Sequence, residues 1–423
     1  MKLSVKRKEL VWWILGLSVL ITATMLVRNL YSELTTTNYG FYGTHYDFLA
    51  FYSAGWSVLH HGLQHIYTAD YITALQRQVI PHPVGASGYM PYLNPPFAAV
   101  LLSPLGLFGI NTARMIWLII SLAMAAYCFG VLCATFTPKQ RLISAALLLL
   151  TFPMYQTFVE GQLSVVILFG GCLCLAALRA KRQSLAGASL ILLWFIPQLG
   201  AFTALGLLAV KQWQILRSWA LASLGLLLLL LPITGLRIYF TYVRVLAATT
   251  GNHFINLLTD ARLTWRGSLN LSMGLNGFLE SLVGHNHTRL VNVLYALTSL
   301  VLLVFLARMT MHHKTARSAQ QNSRLFTAAL LTGLLVDPHL FSQDIIVLYL
   351  LIPALAVLAK NHRIESVIAV AVFCNLTLVD QYSRVHVFAL ASIAGIFWMA
   401  RQNERSATKS KGVHTRTLRQ SNI

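Results

Sequence analysis

A few short stretches carry nearly all the side chains with which this chain could do chemistry. The first is His45–Gly62, where Asp47 heads a run of aromatic and small residues. A carboxylate there can take a proton from a hydroxyl, or it can cap a helix by accepting from the free N–H groups of the first turn. The second is Glu160-Gly-Gln162, an acid and an amide around a glycine, and the third is Gln198 directly after Pro197. Arg262 and Arg266 flank Trp265. Guanidinium groups pair with phosphate oxygens, although Trp and Arg also anchor membrane interfaces. The last stretch is Asp337-Pro-His-Leu-Phe-Ser-Gln-Asp344, with His339 between two carboxylates. Its spacing matches no zinc motif and offers no third fixed ligand, so acid–base or phosphate chemistry is preferred there over a metal. No metal and no cofactor is called for.

The elements that must position these residues are helical. Phe48, Phe51, Tyr52, Gly55, Trp56 and Leu59 fall on one helical stripe, which predicts an amphipathic helix lying on a membrane with Asp47 as its N-cap and Gly62 as its stop. Asp70 reads as a first-turn acid of a second surface helix. At Asn94-Pro95-Pro96 two prolines force an extended approach, after which Pro96 can open a new helix. Gly161 can turn the chain, leaving Gln162 either to cap the next helix or, with Glu160, to meet a lipid head group. Polar groups at membrane depth are costly and tend to be functional. Pro197 interrupts an apolar run, and broken helices usually line cavities, so Gln198 is a candidate head-group ligand.

With 57% hydrophobic and 10% charged residues, the chain reads as an all-α, polytopic membrane protein. Spans are expected near 10–30, 113–135, 141–153, 163–178, 185–196, 198–210, 215–234, 288–309, 324–336, 344–360, 364–380 and 384–400. That makes about 12 transmembrane or partly spanning helices, since several runs are shorter than the roughly 20 residues that cross a bilayer upright. Long outer loops are expected over 31–112 and 235–288, within a single transmembrane domain of residues 1–400, followed by a basic tail over 401–423. Pro95–Gly109 is placed at the outer face or dipping into the membrane. The basic start and apolar run resemble a signal peptide, but Val11–Val27 is long and lacks a small-x-small cleavage site, so it is taken as a retained span.

Orientation follows from charge. With the amino terminus inside, 23 of the 32 Lys and Arg fall on the inner side, every Lys among them. The net charge of +20 is then topological, and nucleic acid is not implied. The expected location is a bacterial inner membrane with both termini cytoplasmic and the candidate residues on the outer face. All five cysteines lie within expected spans and read as small buried apolar residues.

In that order, Asp47-Phe-x-x-Phe-Tyr-x-Ala-Gly, then x-Pro-Pro-Phe-Ala-x-Leu-Leu-x-Pro-Leu, Gly161-Gln162, Pro197-Gln198 and Pro338-His339 before Asp344 resemble glycosyltransferase family 87. The resemblance implies a GT-C membrane fold and transfer of a hexose, mannose in the family's pattern, from a polyprenyl-phosphate sugar. The acceptor would be a glycolipid or glycan, with membrane lipids as surroundings. It also implies that Asp47 is the catalytic residue and that His339 stands near the active site. Two positions depart from the pattern: Asn94 stands where Tyr usually precedes the prolines, and Ile196 where Lys commonly precedes Pro-Gln.

An inverting transfer needs a carboxylate to take the acceptor's proton and a group to stabilise the departing phosphate. Asp47 fits the first role. His339 fits the second, with Arg262 or Arg266 behind it, and Glu160, Gln162, Gln198 and Asp344 remain as substrate contacts. The rival reading is a transporter or flippase of lipid-linked sugars that performs no transfer. Inverted repeats would favour it, and none is visible.

Overall fold

The computed structural model describes residues 46–79, 90–209, 212–249, 272–284, 287–311, 319–337, 340–358, 363–383 and 386–399, with scattered positions between 13 and 28. Among these residues all regular structure is helical. Arg262, Arg266, His339, Arg384 and the tail over 401–423 lie outside them.

Among the described residues, three helices are long and apolar enough to cross a membrane: α4 (Ile110–Leu132), α10 (Trp213–Thr234) and the helix Thr288–Met311, whose apolar part runs over Arg289–Met309. Their pattern is inverted relative to a soluble helix. In α4, Ala113, Trp117, Ser121, Ala125 and Cys128 pack inward at mostly four-residue spacing, while Met115, Ile119, Ile120 and Leu122 face outward. In α10 the outward residues include Leu221, Leu224, Leu228 and Leu229. An apolar outer surface on an apolar helix needs a hydrocarbon solvent, so this is a membrane protein. Of the twelve runs expected as spans, five form shorter apolar helices, among them α7 (Ser164–Arg179). All five cysteines are free, and four of them are buried.

The expected span at 141–153 is broken. α5 (Pro138–Leu149) starts at a capping box between Thr137 and Gln140, and α6 (Phe152–Glu160) leaves it at 66°. A break frees backbone groups that hydrocarbon cannot satisfy. Here the Tyr349 hydroxyl donates to the Leu148 carbonyl at 2.8 Å, and Asn375 Oδ1 accepts from the Phe152 N–H at 2.8 Å. The bend aims the far end of α6, Glu160 and Gly161, at the helix that follows position 45.

That helix, α1 (Tyr46–His60), is not the surface stripe expected from its sequence. Phe48 through Gly55 are all buried, and Leu59 is exposed. The face read as outward holds the small residues Ala50, Ser53 and Ala54, and the stripe itself carries Gly55, where another backbone comes close. A Cβ on Gly55 would meet the Leu102 carbonyl at 2.9 Å, and one on Gly106 would meet Trp56 Cα at 2.8 Å. α1 therefore lies across α3 (Pro96–Leu102) and the 3-10 segment Ser103–Leu107, the stretch expected at the outer face. Asp47 stands within the first turn of α1, which corrects its expected place at the cap. Exposed Asp70 sits in the first turn of α2 (Ala69–Val79), as expected.

α8 (Gln183–Ser189) packs most closely on α10. A Cβ on Gly187 would fall 2.3 Å from the Ile215 carbonyl and 3.0 Å from the Trp219 N–H nitrogen. The obstacle is helix backbone, which cannot move aside as a side-chain tip would. Gly187→Val is expected to destabilise the protein by at least the upper end of the ~1–3 kcal/mol typical of overpacking. Gly225, in α10, has nothing within 4 Å of its added Cβ. Gly225→Ala is the matched control and should be neutral or stabilising by up to about 1 kcal/mol. Thermal unfolding of both variants in detergent checks the pair.

Candidate functional site

The site is built at the turn between α6 and α7. Gly161 ends α6 in the left-handed region at φ 68°, and the Gln162 N–H reaches back to the Thr157 carbonyl at 2.9 Å. α4 grips the same turn. Arg114 Nη2 donates to the Val159 carbonyl and Trp117 Nε1 to the Gly161 carbonyl, both at 2.8 Å. These contacts satisfy carbonyls left free at the end of a helix. They also fix the direction in which Glu160 and Gln162 leave the backbone.

Gln162 does not cap α7, whose preceding residue is Leu163. Its amide reaches α1 instead, where Nε2 donates to Asp47 Oδ2, and it also lies 3.3 Å from Glu160 Oε2. Asp344 approaches from the 3-10 segment Ser342–Leu351. Ser164 Oγ donates to Asp344 Oδ1 at 2.6 Å and the Phe341 N–H to Oδ2 at 3.3 Å, while Ser342 Oγ donates to Gln156 Oε1. Residues more than a hundred positions apart thus converge on one amide and three carboxylates.

Crowding three acids has an electrostatic result. Burial lifts the Asp47 carboxyl above the ordinary carboxylate range, the charge of Asp344 adds to the lift, and the Gln162 hydrogen bond opposes it, leaving a pKa of about 7. Glu160 in turn senses the charges of both Asp47 and Asp344. A carboxylate poised near neutral pH holds a proton more strongly than a surface Asp and still ionises, which suits a general base. Among the described residues, no group of three His, Cys, Asp or Glu side chains is arranged to hold a metal ion.

The structure therefore brings together Asp47, Glu160, Gln162 and Asp344 of the residues expected from sequence. Gln198 has no hydrogen bond to this group. It sits in the first turn of α9 (Pro197–Ala209) with its buried Oε1 unpartnered. The break before it is tied to the approach to α3, since Asn94 Nδ2 donates to the Phe195 carbonyl at 2.9 Å. The departure at Asn94 thus has a structural task. Arg262, Arg266 and His339, outside the described residues, are placed neither in the cluster nor away from it. Asp380 accepts from the Val387 and Phe388 N–H groups at 2.6 and 2.9 Å, where the helix Val387–Met399 begins.

Ser164 was missed by sequence reasoning. A serine opening an apolar helix carries no signal of its own, and its partner lies 180 residues away. Its place two residues after Gln162 was the available hint.

Searches of curated proteins and of solved structures found no match. The family model of glycosyltransferase family 87 matches residues 92–342. The matched stretch holds Glu160, Gln162, Ser164 and Gln198 and stops short of both Asp47 and Asp344, which the fold joins to it. With well over half of its length matched, this membrane chain belongs to glycosyltransferase family 87 and is a glycosyltransferase.

Proposed function

We propose that the chain transfers a hexose, mannose in the first instance, from a polyprenyl-phosphate sugar to a glycolipid or glycan acceptor at the outer face of the membrane, with inversion. The observation that carries this reading is the Asp47 carboxylate, fixed by the Gln162 amide and confronted by Glu160 and Asp344. Asp47 takes the proton of the acceptor hydroxyl as its oxygen bonds to the anomeric carbon. The bond from that carbon to the phosphate oxygen breaks, and the electron pair leaves with the lipid phosphate. In this scheme His339 stabilises the departing phosphate, helped by Arg262 or Arg266. Glu160, Gln162 and Asp344 orient Asp47 and the sugar hydroxyls, and Gln198 contributes a further acceptor atom toward the substrate.

Membranes holding the protein, incubated with radiolabelled polyprenyl-phosphate mannose, should yield a new labelled glycolipid or glycan. The same assay run with other polyprenyl-phosphate hexoses tests the sugar. Absence of any labelled product across donors and acceptors would overturn the donor assignment.

The base assignment predicts a pH profile. The ionised form of Asp47 is the active one and accumulates as pH rises through about 7. Below that point kcat/KM should climb about tenfold per pH unit, then level off. Glu160 and Asp344 face the same carboxyl, so the apparent midpoint belongs to the cluster. Transfer rates measured from acid to mildly alkaline pH check this, and a flat profile would remove Asp47 from the base role.

A further inference from the structure

α10 ends at Thr234, and Gly235, with φ 68° in the left-handed region, lets the chain turn at once into α11 (Leu236–Thr249). α10 is one of the three candidate membrane spans, so the helix that follows its end begins at a membrane surface. α11 has three distinct sides. Ile238, Tyr242 and Val245 are buried against the protein. Leu236, Phe240 and Val243 form a second stripe at i, i+4 and i+7, and each is more than half exposed. Between the two stripes stand Arg237 and Arg244, both exposed and seven residues apart, two turns or roughly 10 Å along one side.

Each side has an evident use except the last. The buried side is stitched to the first outer loop. The Tyr242 ring lies 5.7 Å from that of Tyr67, and the Tyr67 hydroxyl donates to the Asn94 carbonyl at 2.7 Å. The exposed apolar stripe requires hydrocarbon. The arginines flank that stripe, and among the described residues neither guanidinium has an acidic or hydrogen-bonding partner. An apolar stripe edged by arginines on a helix lying at the end of a span has the charge and shape to take an anionic lipid.

We infer that α11 is an interfacial helix that binds the phosphate head groups of anionic phospholipids through Arg237 and Arg244, with Leu236, Phe240 and Val243 sunk among the acyl chains. The anionic phospholipid is chosen over the lipid-linked sugar because both arginines are exposed beside the lipid-facing stripe. The tyrosine side points the other way, toward the protein. This surface does not depend on the catalytic role given to Asp47.

The test reads the lipid beside one side chain. The full-length protein carrying Phe240→p-benzoylphenylalanine is reconstituted into phosphatidylcholine vesicles with a minority of phosphatidylglycerol, irradiated, and its lipid adducts are identified by mass. Phosphatidylglycerol adducts should exceed that lipid's share of the bilayer severalfold. Adding R237Q and R244Q together should return the ratio to the bilayer composition, and excess inorganic phosphate should not. Both arginines are exposed, so loss of fold is not expected in the double variant, and its unfolding temperature verifies this. The inference fails if the unaltered arginine pair gives adducts in bulk proportion or if Phe240 crosslinks only to protein. It fails equally if enrichment survives in the double variant or if free phosphate competes it away. Preferential adducts with an added polyprenyl-phosphate sugar would instead assign α11 to the donor and overturn the anionic-phospholipid reading.

Discussion

Asp47→Asn is expected to give a folded, membrane-inserted protein that transfers sugar about 10²–10⁴-fold more slowly. The geometry separates chemistry from folding at this position. Gln162 Nε2 donates to Asp47 Oδ2, and an Asn side chain retains a carbonyl oxygen that can accept the same hydrogen bond. What the substitution removes is the charge and the ability to take a proton. The stability consequence runs opposite to the loss of activity. Asp47 titrates near pH 7 in the folded protein, above its usual value near 3.8. The stability that goes with its protonated form is complete below about pH 4 and is lost as pH rises through 7. An amide does not titrate, so the variant should unfold at the same or a higher temperature than the parent above neutral pH. Transfer assays and thermal unfolding, performed on the same detergent-purified samples, report the two effects separately. A variant that transfers at the parental rate would end the general-base assignment. One that is inactive and also markedly less stable would mean that Asp47 is structural.

The residues that converge at the site were visible in sequence because each is expensive where it stands. Glu160, Gln162 and Asp344 interrupt apolar surroundings, and the cost of burying them made them stand out before any contact was known. Their partners were not visible. The Ser164 hydroxyl and the carbonyl grips of Arg114 and Trp117 join helices distant in sequence, and no local pattern encodes such pairings. The helical class and the membrane surroundings followed from apolar runs, whereas the path of the short runs did not. Hydropathy reports composition, but the bend after Leu149 depends on Tyr349 and Asn375, about two hundred residues away. α1 was misread for a related reason. Within its stripe Phe48, Phe51, Tyr52 and Gly55 are buried and Leu59 is exposed, while the opposite side holds the small residues Ala50, Ser53 and Ala54, and tertiary packing buried that side as well.

The second large effect is expected at Gly161, where turn and site coincide. Gly161→Ala should lower transfer by about 100-fold, on the scale of losses that follow a displacement of about 1 Å in a positioned catalytic group. Two costs combine. At φ 68° any L side chain is disfavoured by roughly 1–2 kcal/mol. The added methyl would also lie 2.8 Å from Phe48 Cβ, an atom attached directly to the α1 backbone beside Asp47. Relief therefore requires α1 and the turn to separate, which pulls the Gln162 amide away from the carboxylate it orients. Asn tolerates the left-handed region better than Ala but carries the same Cβ. If backbone strain dominates, Gly161→Asn should recover much of the activity; if the approach of α1 dominates, it should remain as impaired as Gly161→Ala. The structure favours the second outcome, because the contact is with a Cβ held by a buried helix and not with a movable side-chain end. Transfer rates for the two variants, each with its unfolding temperature, decide between them. A fully active Gly161→Ala protein would show that the coupling between this turn and Asp47 does not govern catalysis.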